Sequence, residues 1–398
     1  MFTDFILNGQ AHGSVGEHLA GCRFDPGLLR PYIDRSNQRC VTINSGRTDS
    51  SGKPIYEKRL VAEMINNGVS SPVFNATSLR KEEWIELDKV VIREARFRLR
   101  AWADLAAANT FGGFNGMSKT ILEYESMSDP GEAIVDMDGL SEGRTDRPKF
   151  QLEGLPLPIT HSDFYFSARQ LAASRNSGTP LDTTMAEAAG RRVAESIEKV
   201  LIGVDTGVTY GGQNTATSYG RTAQVYGYLN FPQRLTKHNL NTPTGNNASS
   251  TLSDVLAMRN QLYNNKFYGP FMLYHSNDWD TFLDNDYILT GGNVATQTLR
   301  ERLKSIDGII DVRRLDFLTS TIPVSTDAAQ ILTANPFTLI MVQMTSDVCR
   351  AINGMDITTV QWESVGGMRL NFKVMAIQVP QIRATFAGNS GLLVGTTT

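Results

Sequence analysis

A chain of 398 residues is longer than one hydrophobic core usually supports, so two lobes are expected. With 41% apolar and 20% charged residues and a net charge of -3, the composition is that of a soluble globular protein, without the basic bias that draws a chain to nucleic acid or anionic membrane. No apolar run approaches the roughly 18 residues of a membrane span, and Cys22, Cys40 and Cys349 are too few for a disulfide framework, as in proteins folded in a reducing compartment.

The first stretch, MFTDFILNGQAHGS, carries Asp4 where a secretion signal needs bases, which argues against export. Residues 1–78 contain eight glycines, four prolines and no periodic segment longer than two turns, and so read as an arm rather than a domain. Ordering a backbone costs ~1–2 kcal/mol per residue, which such a stretch cannot recover from its own contacts. Phe2, Phe5, Ile6, Leu7, Leu28, Leu29, Tyr32 and Ile33 are therefore expected to be buried on surfaces elsewhere, with the arm tying subunits together and Met1 retained without maturation cleavage. His12, His18, Cys22 and Cys40 lie in the arm, but their spacing matches no zinc pattern.

A helix is expected from Leu79 to Ala108, capped by Thr77 or Ser78, with Trp84, Leu87, Val91, Ala95, Leu99 and Trp102 on its apolar face. Arg93, Arg96, Arg98 and Arg100 share it with Glu82, Glu83, Glu86 and Glu94, which favours a solvated or subunit-facing surface over nucleic-acid contact. The glycine-rich FGGFNGMSK lacks the Gly-Lys-Ser/Thr ending of a phosphate loop and reads as a hinge. Thr120 to Phe166 then reads as an extended β-hairpin: Ile121 to Tyr124 leads out, Asp129-Pro130-Gly131 turns, and Phe150 to Leu152 with Asp163 to Phe166 leads back. Its charged tip, Glu142 to Lys149, has nothing apolar to bury, and a lone hairpin of this kind is not stable in water.

The longest helix signal runs from Thr179 to Gly203: Thr179 caps, Pro180 takes the first position, Asp182 complements the dipole and Gly203 stops it. The stripe Met185, Ala189, Val193, Ile197, Val200 and Val204 should lie on a sheet, while Glu187, Arg191, Arg192, Glu195 and Lys199 face away. Residues 205–249, rich in Gly, Thr, Asn and Ser, read as a boundary. A mixed α/β lobe follows, with a helix over Leu252 to Tyr263, strands at Phe271 to Tyr274, Ile306 to Val312 and Phe337 to Val342, and a short helix capped by Ser276. The C-terminal part is β: Met368, Leu370, Phe372, Val374 and Ala376 alternate with Arg369, Asn371, Lys373 and Met375, and pair with Ile357 to Trp362 through Gly366-Gly367.

No G-x-S-x-G, H-E-x-x-H, C-x-x-C or strand-following G-x-G-x-x-G is present, so no catalytic, cofactor-binding or metal-ligating residue is assigned and the chain reads as a non-enzyme. His161 and His275, at strand ends, read as surface or capping residues. Asn75-Ala76-Thr77 and Asn247-Ala248-Ser249 match glycosylation sequons but carry no meaning without export.

The order of these elements resembles the Hong Kong 97 fold shared by major capsid proteins of tailed phages and by encapsulins, with the encapsulin-like branch nearest. The resemblance covers about residues 79–390. It is carried by LPLPITHSDFYFSARQLAAS, RRVAESIEKVLIG, VYGYLNFPQ, FYGPFMLYHSNDWDTFL, LKSIDGIIDVRRL, and FTLIMVQMTSDV leading into MRLNFKVMAIQVPQIRA. It implies an α+β chain divided into an N-terminal arm (1–78), a first helix of the peripheral lobe (79–116), an extension loop (117–166), the peripheral lobe with its spine helix 180–202 (167–249), an axial lobe (250–342) and a C-terminal peripheral sheet (343–398). It further implies a structural subunit that self-assembles through pentamers and hexamers into an icosahedral virion capsid in the host cytoplasm, without cofactor or membrane. Portal, scaffold and decoration proteins are its candidate partners, and double-stranded DNA is enclosed without sequence-specific binding. The alternative is an encapsulin-type nanocompartment around a cargo enzyme. Nearly 80 residues before the first shared helix favour the virus. Some shells of this kind join a loop lysine to a neighbour's asparagine, a role for which Lys119 and Lys149 are candidates, or the cysteines pair between subunits.

Overall fold

The computed structural model describes residues 30–48, 54–62, 79–128, 137, 147–177, 183–203, 209–210, 213–214, 225–244, 248–288, 294–318 and 337–397. The chain opens with β1 (Tyr32–Ile33), β2 (Arg39–Thr48) and β3 (Pro54–Leu60), followed by α1 (Lys81–Arg98), α2 (Ala101–Ala108) and β4 (Thr110–Phe111). Then come β5 (Ile121–Met127), β6 (Phe150–Pro156), β7 (Thr160–Ser167), α3 (Ala168–Ser177) and the long α4 (Thr184–Ile202). Short strands β8 (Thr209–Tyr210), β9 (Gln213–Asn214) and β10 (Leu235–Lys237) lead to α5 (Ala248–Asn264), β11 (Phe271–His275) and α6 (Asp280–Leu283). The remainder is β12 (Asp286–Ile288), β13 (Val294–Thr298), α7 (Leu299–Lys304), β14 (Ile309–Arg314), β15 (Thr338–Gln343), β16 (Cys349–Ser364), β17 (Arg369–Ile382) and β18 (Leu392–Thr396).

Two sheets organise the molecule. The first has the order β4-β16-β17-β7, and α4 lies across β17 and β7 with α1 beside it. Ala186, Ala189, Gly190, Val193, Ala194, Ile197, Leu201 and Ile202 form the buried face of α4, because small and branched apolar residues recur there every three or four positions. At Gly190 the two helices nearly touch: a Cβ there would stand 3.1 Å from the Val91 carbonyl oxygen. Phe164, Phe166, Phe372 and Trp84 fill the space between the sheet and α1, with Phe164 and Phe372 stacked at 5.1 Å. α4 ends at Gly203 in the left-handed region, and Tyr228 and Leu229 donate backbone hydrogen bonds to its last carbonyls, on Leu201 and Ile202.

The second sheet has the order β10-β18-β15-β11-β14. All five residues of β11 are buried, as are all six of β15, as befits central strands covered on both faces. α5 closes one side through Val255, Met258 and Leu262.

Several elements differ from their sequence-based outlines. The helix expected over 79–108 is two, broken at Leu99 and Arg100, because the buried Glu198 carboxylate accepts hydrogen bonds from the backbone of Ala101 and Trp102 and starts a new helix there. The stripe of α4 is rotated relative to expectation: Met185 is 46% exposed and Ala186 takes its inward place. Thr183, not Thr179, stands at its N-cap; Thr179, Pro180, Asp182 and Val204 lie outside the described residues. Thr160 to Ser167 is not the return strand of the hairpin but pairs antiparallel with β17. Ile306 precedes its strand, which begins at Ile309. β10 and β18, placed by their position in the chain with the spine-helix lobe, pair with each other and with β15 in the second sheet. Asn371 and Met375, expected on an open face, are buried. Within the arm, Tyr32 to Leu60 includes a three-stranded antiparallel sheet, β1-β2-β3. Phe2, Phe5, Ile6, Leu7, Leu28 and Leu29 lie outside the described residues.

Candidate assembly surfaces

The hairpin of β5 and β6 pairs Ile121 with Pro156 at its base and Met127 with Phe150 at its far end. The base is anchored. Leu122 and Tyr124 pack on a small core that includes Leu155, Leu157, Val225, Ile352, Ile377 and Val379. The Tyr124 hydroxyl donates to Glu153 Oε2 at 2.6 Å, and burial together with that carboxylate raises its pKa, so it stays a donor. Arg383 lies 5.3 Å over the Tyr124 ring and donates to the Glu125 carbonyl. Farther out, Met127, Phe150 and Leu152 are 55%, 64% and 50% exposed, so the distal ribbon offers an apolar face that no described residue covers.

A second surface lies on α1. Residues 30–33 run along this helix: Ile33 donates its amide to the Leu79 carbonyl, Trp84 Nε1 donates to the Pro31 carbonyl, and the Arg30 guanidinium pairs with Asp88 above the Trp84 ring. Next to this strap, Ile85 and Ile92 are exposed in a groove of about 520 Å³, which Asp88, Lys89, Arg93 and Arg96 complete.

Beneath both surfaces, buried carboxylates join the elements. Glu198 is 2% exposed, and burial pushes its pKa up to about 7 despite its two backbone donors. Asp104 on α2 accepts from the buried Tyr274 hydroxyl at 3.2 Å and pairs with Arg313, linking the helices of the first sheet to β11 and β14 of the second. Burial raises its pKa as well, and Arg313 opposes the rise. Sequence reasoning missed both residues. Glu198 carried a legible signal, because it sits one position after Ile197 inside the buried stripe of α4.

Of the side chains singled out in the sequence, Lys119 and Lys149 are exposed, with Lys119 5.8 Å from the Phe114 ring. Cys40 and Cys349 are fully buried thiols, which removes them as intersubunit disulfides; burial pushes the Cys349 pKa up to about 12. His12, His18, Cys22 and Asn75 to Thr77 lie outside the described residues, as does Asn247. Among the described residues no cluster of His, Cys, Asp and Glu is suited to hold a metal ion. His161 is exposed beside Asp163. His275 is not a surface residue but is fully buried: its Nδ1 lies 2.9 Å from the Ser276 carbonyl, which only accepts, so Nδ1 carries the proton and Nε2 accepts from Arg300 at 3.2 Å. Burial lowers its pKa and keeps it neutral.

A projecting apolar ribbon and an apolar helix groove stand out on this two-sheet scaffold of α and β elements. The chain belongs to DUF6260, a family of unknown function, which matches residues 75–395. It is also 28% identical over 141 residues to the type 1 encapsulin shell protein EncA of Myxococcus xanthus (strain DK1622). That match spans 35% of this chain and 46% of EncA, less than half the relative's length. Among solved structures it is similar to the virus-like particle from Pyrococcus furiosus, at 17% identity and a TM-score of 0.46 over 79% of this chain and 98% of that one. It is likewise similar to Mycobacterium phage Ogopogo, at 15% identity and a TM-score of 0.49 over 75% and 92% of the two chains. The capsid of Myoviridae phage XM1 is 12% identical, with a TM-score of 0.47 over 73% and 90%.

Proposed function

We propose that the protein is a structural shell subunit of the Hong Kong 97 type, the major capsid protein of a tailed double-stranded DNA phage. In this reading α4 is the spine helix, the four-stranded sheet its peripheral bed, the β11-containing sheet the core of the axial lobe, and the β5–β6 ribbon the extension loop. The observation that carries the proposal is the ribbon: a two-stranded sheet with Met127, Phe150 and Leu152 at least half exposed needs a neighbouring surface to be stable. A second copy of the chain supplies such a surface without a further gene product, and repetition of one contact in a closed shell satisfies every copy alike. The role is structural rather than catalytic, with enclosed DNA held by confinement and no sequence-specific contact.

Electron microscopy of the purified protein tests this reading. Closed icosahedral particles are expected, and a monodisperse monomer under all assembly conditions overturns it. The similarity to EncA favours a second reading, a nanocompartment around a cargo enzyme. Nuclease-protected DNA in native particles selects the virus, whereas a co-purifying enzyme with a docking peptide selects the nanocompartment.

A further inference from the structure

We infer that the open edge of β3 is a twofold contact between two copies of this chain, in which the two β3 strands pair antiparallel about Lys58. The backbone sets which residues face that edge. Asp34 donates its amide to the Gln38 carbonyl, while Ile33 turns its amide away from β2 to the Leu79 carbonyl, so Tyr32 and Cys40 form the hydrogen-bonded pair of β1 and β2. Cys40 therefore turns its backbone groups away from β3. By the alternation of an antiparallel ladder, Leu60, Lys58 and Tyr56, opposite Cys40, Thr42 and Asn44, point their N–H and C=O groups outward. Among the described strands β3 pairs with β2 alone, and Tyr56 is 59% exposed at this edge. An open edge of this kind is a template for another strand.

The side chains fit a second β3 in one register. Opposite residues of an antiparallel pair are both hydrogen-bonded or both not, so a twofold axis must fall on a residue rather than between two. With the axis at Lys58, Glu57 stands opposite Arg59 of the second copy and Tyr56 opposite its Leu60, which sets charge on opposite charge and ring on apolar side chain. An axis at Glu57 sets that acid against itself, and one at Arg59 does the same to the base. The charges that guard a sheet edge are already neutralised here: Lys58 pairs with Asp34, and Arg59 pairs with Glu57 at 2.9 Å. Two Lys58 side chains can thus meet at the axis, and the two Glu57–Arg59 pairs lie side by side with opposite ends together. The outward groups of Tyr56, Lys58 and Leu60 in both copies are then satisfied, by about six hydrogen bonds. The contact needs only a second copy, and it holds whether or not the subunit builds a shell.

Disulfide trapping on the full-length protein tests the register. In a Cys22→Ser background the remaining native thiols, Cys40 and Cys349, are buried. Glu57 and Arg59 across the axis form a non-hydrogen-bonded pair with Cα atoms ~4.5 Å apart, within disulfide range, whereas the two Glu57 positions, or the two Arg59 positions, stand ~8 Å apart, beyond it. A mixture of Glu57→Cys and Arg59→Cys subunits under a mild oxidant should yield disulfide-linked dimers at least about tenfold above either variant alone. Adding Tyr56→Pro to both removes an outward amide and none that β2 uses, so the yield should fall at least about fivefold with the melting temperature unchanged. Dimers from Glu57→Cys alone at the mixture's yield would move the axis, and equal yields in all three samples would mean random collision. Absence of dimers from the mixture would leave the edge to a different occupant. Each of these results overturns the assignment, as does a yield that survives Tyr56→Pro.

Discussion

Glu198 shows how one side chain shapes its surroundings. It sits in the apolar face of α4, caps the backbone of α2 and forces the break at Leu99 and Arg100. Its folded pKa of about 7 lies above the ordinary 4.5, so the fold favours the neutral acid. The stability this contributes is complete below about pH 4.5 and is lost as pH rises through 7, a swing of ~3 kcal/mol. Glu198→Gln gives up one of the two backbone hydrogen bonds, because its amide nitrogen cannot accept, but it removes the titration, so its stability relative to the wild type should rise by about 2–3 kcal/mol between pH 5 and pH 8 in urea unfolding. Parallel stability curves for the two proteins would show that Glu198 does not titrate in this range. Gly227 makes a purely steric demand. A Cβ there would stand 2.4 Å from Gly203 N and from the Val200 carbonyl oxygen, where the loop crosses the end of α4. Gly227→Ala should therefore cost several kcal/mol or abolish soluble expression. Gly388→Ala, at a positive φ with open space around it, should cost only ~1 kcal/mol. Thermal melts that rank the two variants the other way would refute the close approach.

At the scale of elements, α4 and the ribbon answer to different solvents. Ile197 is 1% exposed under α4, so Ile197→Glu places an unpaired charge in the core and should cost 3 kcal/mol or more, roughly the penalty for a buried lone charge. Met185→Glu, on the exposed side of the same helix, should change stability by less than about 0.5 kcal/mol. Equal effects in chemical denaturation would mean that the buried face of α4 is wrongly assigned. On the ribbon, the doubly substituted Phe150→Ser/Leu152→Ser protein should fold and melt like the wild type, because neither side chain is buried within the subunit. It should fail to form particles in electron micrographs. Shells as robust as wild type from this variant would show that the ribbon face is not an assembly contact.

Across the whole molecule, Asp104 joins the two sheets through Tyr274 and Arg313. Asp104→Ala strands the buried Tyr274 hydroxyl and should cost ~1–3 kcal/mol. Tyr274→Phe should recover part of that loss when combined with it, giving a coupling of at least about 0.5 kcal/mol. Additive losses would place the junction elsewhere. What the sequence determined alone follows from local rules. Gly203 ended α4, the alternation from Arg369 to Ala376 marked β17, and Gly366 and Gly367 turned the hairpin at positive φ. These features depend on neighbours within a few residues, and backbone sterics and side-chain period suffice to express them. Tertiary structure decided the rest. The break in the first helix comes from Glu198, nearly 100 residues away, and the move of β7 from hairpin to sheet was set by its partner β17, some 200 residues on. β18 left its neighbours in sequence to pair with β10 and β15. Strand partners are chosen by which edges remain open once the cores have packed, a competition among distant segments that no local window contains. The assembly surfaces follow the same logic: Ile85, Ile92 and Phe150 look like core residues in the sequence, and only the folded chain shows that nothing among the described residues covers them.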